Sequence, residues 1–148
     1  SFVGGVVAYS NQLKERLLGV PGDLLAARGA VSREVAEAMA RGACALGAEC
    51  GLGVTGIAGP RGGSEEKPVG TVHLAAATPG GMWHRRHHFG GSREMVREFA
   101  ANFALDLLRR ALVDERAGID SPRAWGHGGA GAPGRGVERR EAPREEES

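Results

Sequence analysis

Two β-rich runs, residues 69–77 and 83–89, lie on either side of Thr78-Pro-Gly-Gly81, and this arrangement constrains the fold more than any other feature of the chain. So short a proline-glycine turn predicts that the two runs pair as an antiparallel hairpin. A hairpin needs apolar cover, and the sequence supplies a candidate directly after it. Ser92 caps a helical pattern that continues through residue 112, with Met95, Val96, Phe99, Phe103, Leu107, Leu108 and Leu112 expected to point inward.

The same alternation holds upstream. Residues 2–9 read as a short buried strand, in which Gly4-Gly5 marks a bulge or the close approach of another backbone. Ser10 or Asn11 caps a helix that carries Leu13, Leu17 and Leu18 and stops at Gly19 and Pro21. Leu24, Leu25 and Ala26 add a short helical turn ending at Gly29. Ser32 then opens a longer helix with Val35, Ala36, Met39, Ala40 and Ala43 on one face, finishing near Gly47. Residues 52–57 complete the set of strands. Strands alternating with helices predict the α/β class, as a layered α/β/α domain with a mixed sheet over residues 1–117. From Gly118 to Ser148 the chain is Gly, Pro, Ala, Arg and Glu with little to bury, and a disordered tail is expected.

Composition narrows the functional classes. A chain of 148 residues with 41% hydrophobic residues fits one domain with a core. It contains no apolar run of membrane-spanning length and no secretory pattern at its start, so a cytoplasmic chain without membrane contact is expected. The net charge of +1 gives no global field for nucleic acid. Arg85, Arg86 and the arginines of residues 118–148 lack interleaved aromatics, and glutamates alternate with them, so nucleic acid is not an expected partner. Cys44 and Cys50 lack metal or redox spacing and read as small core residues. Of His73, His84, His87 and His88, alternation along the strands lets two or three at most converge, and no carboxylate accompanies them; no metal is expected.

Two segments carry candidate chemistry. In Thr55-Gly-Ile-Ala-Gly-Pro-Arg-Gly-Gly-Ser-Glu-Glu-Lys67, glycines 56, 59, 62 and 63 leave backbone N–H groups uncovered, suited to an anionic or flat polar ligand. Thr55, Ser64 and Lys67 add hydroxyls and a cation to the same rim. The second segment is Tyr9-Ser-Asn-Gln-Leu-Lys14, where a strand end meets a helix start, a usual place for ligands in α/β proteins. Lys14 in the first turn meets the positive end of the helix dipole, which lowers an ammonium's pKa; a Tyr9/Lys14 pair is then able to activate a hydroxyl. Only Lys14 and Lys67 are lysine in a chain whose other basic side chains are arginine, and each falls in one of these segments.

Taken in order, Gly4-Gly-Val-Val-Ala-Tyr-Ser-Asn11, Lys14-Glu-Arg-Leu-Leu-Gly-Val-Pro21, Gly29-Ala-Val-Ser-Arg-Glu-Val-Ala36, Val54-Thr-Gly-Ile-Ala-Gly-Pro60 and Glu66-Lys-Pro-Val-Gly-Thr-Val72 closely resemble the C-terminal domain of the CinA family. The resemblance implies a nicotinamide-nucleotide amidase, which hydrolyses the carboxamide of nicotinamide mononucleotide to nicotinate mononucleotide and ammonia without a cofactor. It further implies a serine nucleophile assisted by Tyr9 and Lys14. The substrate pocket it implies includes Ser10, Asn11, Thr55, Gly56, Ala58, Gly59, Pro60, Gly62, Gly63, Ser64 and Lys67, with Arg93 a candidate phosphate contact and Arg97 read as structural. The implied partner is a small pyridine nucleotide, and self-association into a homo-oligomer is also implied. The family's pattern begins with a further strand and helix carrying Glu-Ser-Cys-Thr-Gly-Gly. The chain is therefore expected to be truncated, to lack its nucleophile and to be inactive and poorly stable as it stands. Arg61 replaces a usual Gly, and Gly91-Ser-Arg93 a usual Gly-Asp-Arg. A catalytically silent nucleotide-binding or assembly module is the alternative.

Overall fold

The computed structural model describes residues 2–116; the expected tail lies outside the described residues. The chain runs α1 (Asn11–Leu18), α2 (Gly22–Arg28), α3 (Arg33–Ala45), β1 (Gly51–Gly56), β2 (Thr71–Thr78), β3 (Gly81–His88) and α4 (Arg93–Arg116). The serine caps predicted from sequence hold the starts of α1, α3 and α4, while α2 follows Pro21 without a side-chain cap. Ser10 accepts from the Leu13 amide at 3.2 Å, Ser32 from Val35 at 3.3 Å and Ser92 from Met95 at 3.3 Å, each satisfying a first-turn amide that the helix cannot.

The three strands form a sheet in the order β1-β2-β3. Register pairs Gly53 with Ala75 and Thr55 with His73 across β1 and β2, and Ala75 with His84 and Thr78 with Gly81 across the hairpin. Both pairings are antiparallel, which corrects the expected mixed sheet. A parallel neighbour needs a crossover, and no helix interrupts either connection between consecutive strands.

The sheet is buried on both faces, giving an α/β/α layering. Val72, Leu74 and Ala76 of β2, with Trp83, pack beneath α4 through Val96, Ala100, Ala104, Leu107 and Ala111. Ala75 and Ala77 face α3 through Ala36 and Ala40. α3 lies so close to β1 that a Cβ added at Gly53 would run into the Ala36 carbonyl oxygen, and one at Gly51 into that of Ala40. A third cluster, built from Leu18, Val20, Leu25, Val35, Ala38 and Met39, joins α1 and α2 to α3.

Two further expectations change. Residues 2–9 are no strand: they pair with no strand among the described residues, and Phe2, Val3, Val7 and Tyr9 are exposed. Only Val6 and Ala8 touch the α1–α3 cluster. A lone extended segment gains no ladder hydrogen bonds to offset its ordering. In α4, Met95, Phe99 and Phe103 are partly exposed rather than buried, and the buried stripe is mostly alanine. Small side chains let the helix axis approach the sheet, while Phe99 and Phe103 gather beside it against Phe89, with ring centroids 5.8 and 5.2 Å from that residue.

Candidate functional site

One open cleft of about 740 Å³ lies between residues 6–9, α1, the end of β1 with the loop after it, and the start of α4. Such a volume is ordinary for a small-molecule site, at roughly 300–1,000 Å³. Its inner wall is apolar, from Met39, Val54 and Ile57. The charged side chains lining it are Lys14, Arg61, Arg93 and Arg97, with no carboxylate among them. The cleft is thus electropositive and suits a ligand carrying negative charge.

Lys14 projects from the first turns of α1 and is only 8% exposed. Burial lowers its pKa, because an ammonium withdrawn from water is penalised relative to the neutral amine. Among the described residues no carboxylate forms an ion pair with it. The sequence argument assigned the lowering to the helix dipole; desolvation is the cause the structure supplies. Tyr9 lines the same cleft and is 84% exposed, so its phenol stands at the rim.

The loop between β1 and β2 is fastened at several points. The Ile57 amide donates to Thr71 O at 2.9 Å, and the Gly70 amide returns to Ile57 O at 2.6 Å. Arg93 Nη1 donates to Gly59 O at 3.0 Å, tying the loop to α4. Arg86 Nη2 reaches Glu66 O at 3.0 Å, and Thr55 Oγ1 donates to Ala30 O at 2.7 Å. Between these anchors, the amides of Arg61, Gly62 and Gly63 have no acceptor among the described residues. Gly62 has φ of +95°, a conformation side chains resist, so the tip depends on its glycine.

Of the sequence-derived candidates, Tyr9, Lys14, Thr55, Gly56, Ala58, Gly59, Gly62 and Arg93 come together around the cleft. The others do not line it. Ser10 Oγ is spent on capping α1, and Asn11 is that helix's exposed first residue. Pro60 is exposed, and Gly63 sits against Val69. Ser64 closes a turn with Lys67: its amide donates to Lys67 O at 2.9 Å and its Oγ accepts from the Lys67 amide at 3.1 Å. Lys67 turns away, its Nζ donating to Arg28 O at 3.1 Å at the end of α2. Sequence reasoning weighed Arg97 as a phosphate contact but leaned to a structural role for it, and missed the wall made by residues 6–8; both line the cleft. Arg97 was findable: Arg93, Arg97, Ala100 and Ala101 share one helical face, and that face borders the cleft.

Away from the cleft, the rings of His73 and His84 stack at 5.3 Å, with Nδ1 of the first 3.1 Å from Nε2 of the second. Burial, reinforced by neighbouring cations, pushes both down to about 4. The pair is neutral at pH 7, one ring donating to the other. Among the described residues no group of three or more His, Cys, Asp or Glu is placed to hold a metal. No helix among them is long and apolar enough to cross a membrane.

The profile described as CinA C-terminal domain matches residues 1–112. A CinA-like protein from Desulfotalea psychrophila is 54% identical over 115 residues, covering 77% of this chain and 28% of the relative. One from Anaeromyxobacter dehalogenans is 61% identical over 109 residues, covering 73% and 27%. The chain therefore spans about a quarter of the length of these curated relatives. Among solved structures, a competence-damaged protein (CinA) superfamily protein from Escherichia coli superposes with a TM-score of 0.66 at 36% identity, covering 70% of this chain and 60% of that one. A superfamily protein from Enterobacter cloacae gives 0.68 at 34% identity, covering 73% and 64%.

Proposed function

Since this chain belongs to the CinA C-terminal domain family, we propose that it forms the greater part of a nicotinamide-nucleotide amidase site, which converts the carboxamide of nicotinamide mononucleotide into a carboxylate with release of ammonia. The observation that carries the reading is the largely buried Lys14 side chain, without an ion pair among the described residues, in the same cleft as the uncovered loop amides. A desolvated lysine holds its neutral form closer to pH 7, as a general base must.

In this reading the pyridine ring lies on the apolar wall and the nucleotide phosphate meets the arginines of α4. Lys14, with Tyr9 at its side, takes the proton of an attacking hydroxyl, which adds to the carboxamide carbon. The resulting oxyanion is held by N–H donors of the glycine loop. Collapse returns the proton to the nitrogen, ammonia leaves, and water hydrolyses the ester. Ser10 and Thr55 do not supply that hydroxyl, because one caps α1 and the other is held by Ala30 O. In this reading the attacking hydroxyl is supplied by a residue other than these two.

The test is ammonia release from nicotinamide mononucleotide by the full-length protein. Lys14→Met is expected to lower turnover by about 10²-fold or more, the contribution typical of a general base, while substrate binding is largely kept. An equally active variant would end the assignment of Lys14. The occupied hydroxyls of Ser10 and Thr55 favour a second reading, a silent nucleotide-binding module, in which wild-type protein binds the nucleotide and releases no ammonia.

A further inference from the structure

α4 is apolar on two sides, and the sheet covers one of them. Val96, Ala100, Ala104, Leu107 and Ala111 pack on the strands. On the solvent side stand Met95, Phe99, Phe103, Leu105 and Val113, between 37% and 60% exposed. The first three are four residues apart and so share one stripe. Single apolar residues scattered over a surface need no cover, but five on the outer side of one helix form a patch of the kind that marks an interface. Part of it is held in shape before any contact is made. Phe99 and Phe103 lean on Phe89, and the His87 ring meets Phe103 edge-on at 4.9 Å. Aromatic side chains fixed in this way lose little freedom on binding and make good anchors.

The charges beside the patch identify what covers it. Glu94 and Glu98, in the first half of α4, are exposed and form no ion pair among the described residues. Arg109 and Arg110, in the second half, are exposed and share one carboxylate, that of Asp106. The helix is therefore acidic toward one end of its outer side and basic toward the other. A second α4 laid antiparallel brings each acidic end to a basic end, whereas a parallel one sets like charge against like. Antiparallel pairing of one surface with itself is what a two-fold axis produces.

We propose that the outer face of α4 binds the same face of a second copy of this chain, antiparallel, with the two-fold axis near Phe103. Glu94 and Glu98 of each copy then meet Arg109 and Arg110 of the other, and the apolar side chains between them leave water. The Met95–Phe99–Phe103 stripe lies across α4 from Arg97 and Ala101, which line the cleft. Both clefts stay open in the dimer, so the proposal is independent of what the cleft binds.

Analytical ultracentrifugation of the 148-residue chain over a concentration series tests this. One helix face per copy is at the small end of specific interfaces, so a dimer with Kd on the order of 10 μM is expected. Leu105→Glu, which puts a carboxylate into the patch, should weaken it about tenfold or more. Two charge-reversed chains read the orientation: Glu94→Lys with Glu98→Lys, and Arg109→Glu with Arg110→Glu. Each alone should sediment as a monomer, and an equimolar mixture should dimerise within a few-fold of wild type, because only antiparallel helices then match at both ends. Thermal melts by circular dichroism close to that of wild type show that the variants are folded, and recovery of the dimer in the mixture shows it again. A wild-type chain that stays monomeric throughout overturns the proposal and leaves the face to a different partner. A dimer that survives Leu105→Glu and both charge reversals overturns it by placing the contact elsewhere, and folded charge variants that fail to pair in the mixture overturn the antiparallel arrangement.

Discussion

Residues 2–9 and β1 are both short apolar runs broken by glycine, yet a Cβ added at Gly4 meets nothing within 4 Å while one added at Gly53 collides with the backbone of α3. The first run has Val3, Val7 and Tyr9 in solvent; the second has β2 along its edge and α3 across its face. Glycine in β1 is required by what lies over it, and glycine at 4 answers to no such neighbour. An apolar run becomes a strand when its hydrogen bonds and its faces both find partners, and composition alone carries neither fact.

That contrast can be broken by substitution. Gly53→Ala should have the largest effect, a loss of about 3 kcal/mol in urea unfolding, since the added methyl drives α3 off the sheet; a stability unchanged from wild type would mean that the close approach is not needed. A smaller effect separates the two regions by acid. His73 and His84 both sit at about 4 in the folded chain against an ordinary 6.5. Their unfolded forms therefore take up protons first as pH falls. Stability should be full above about pH 6.5, decline as pH drops toward 4, and level off below it. Arg86, Lys67, Arg33 and Arg85 reinforce the effect and Glu34 opposes it. The pair's share is on the order of a few kcal/mol, and His84→Gln should flatten the decline in a pH series of chemical melts. Gly4→Ala should do least, within about 0.5 kcal/mol of wild type by the same urea measurement. A loss comparable to that of Gly53→Ala would show residues 2–9 to be packed after all.

Helices and strands were readable wherever the signal was local. Ser10, Ser32 and Ser92 announce their helices because the cap bond spans three residues. The hairpin was readable from its turn for the same reason. The inward face of α4 was read in part: Val96 and Leu107 are buried as expected, but size was taken for burial at Phe99 and Phe103, where Ala100 and Ala104 are what a helix needs in order to lie close on a sheet. For the site, Lys14 at a helix start and the glycine loop at a strand end reach one cleft as such ends do in layered folds, with Tyr9 beside them although its segment is no strand. Lys67 was misplaced because its partner, Arg28 O, is 39 residues away, and nothing in the loop's own sequence announces it.

The anchors on the β1–β2 loop bear on the entropy of recognition. With Arg86 of β3 and Arg93 of α4 donating to the loop carbonyls of Glu66 and Gly59, Thr55 at its start donating to Ala30 O, and Lys67 hooked to Arg28 O of α2, most of this long connection is fastened before any ligand arrives. What is left to order is the short stretch at residues 61–63. At about 1–2 kcal/mol per residue fixed, an incoming molecule meets a penalty for three residues instead of the fourteen between β1 and β2, and preorganisation of this kind turns a modest set of contacts into useful affinity.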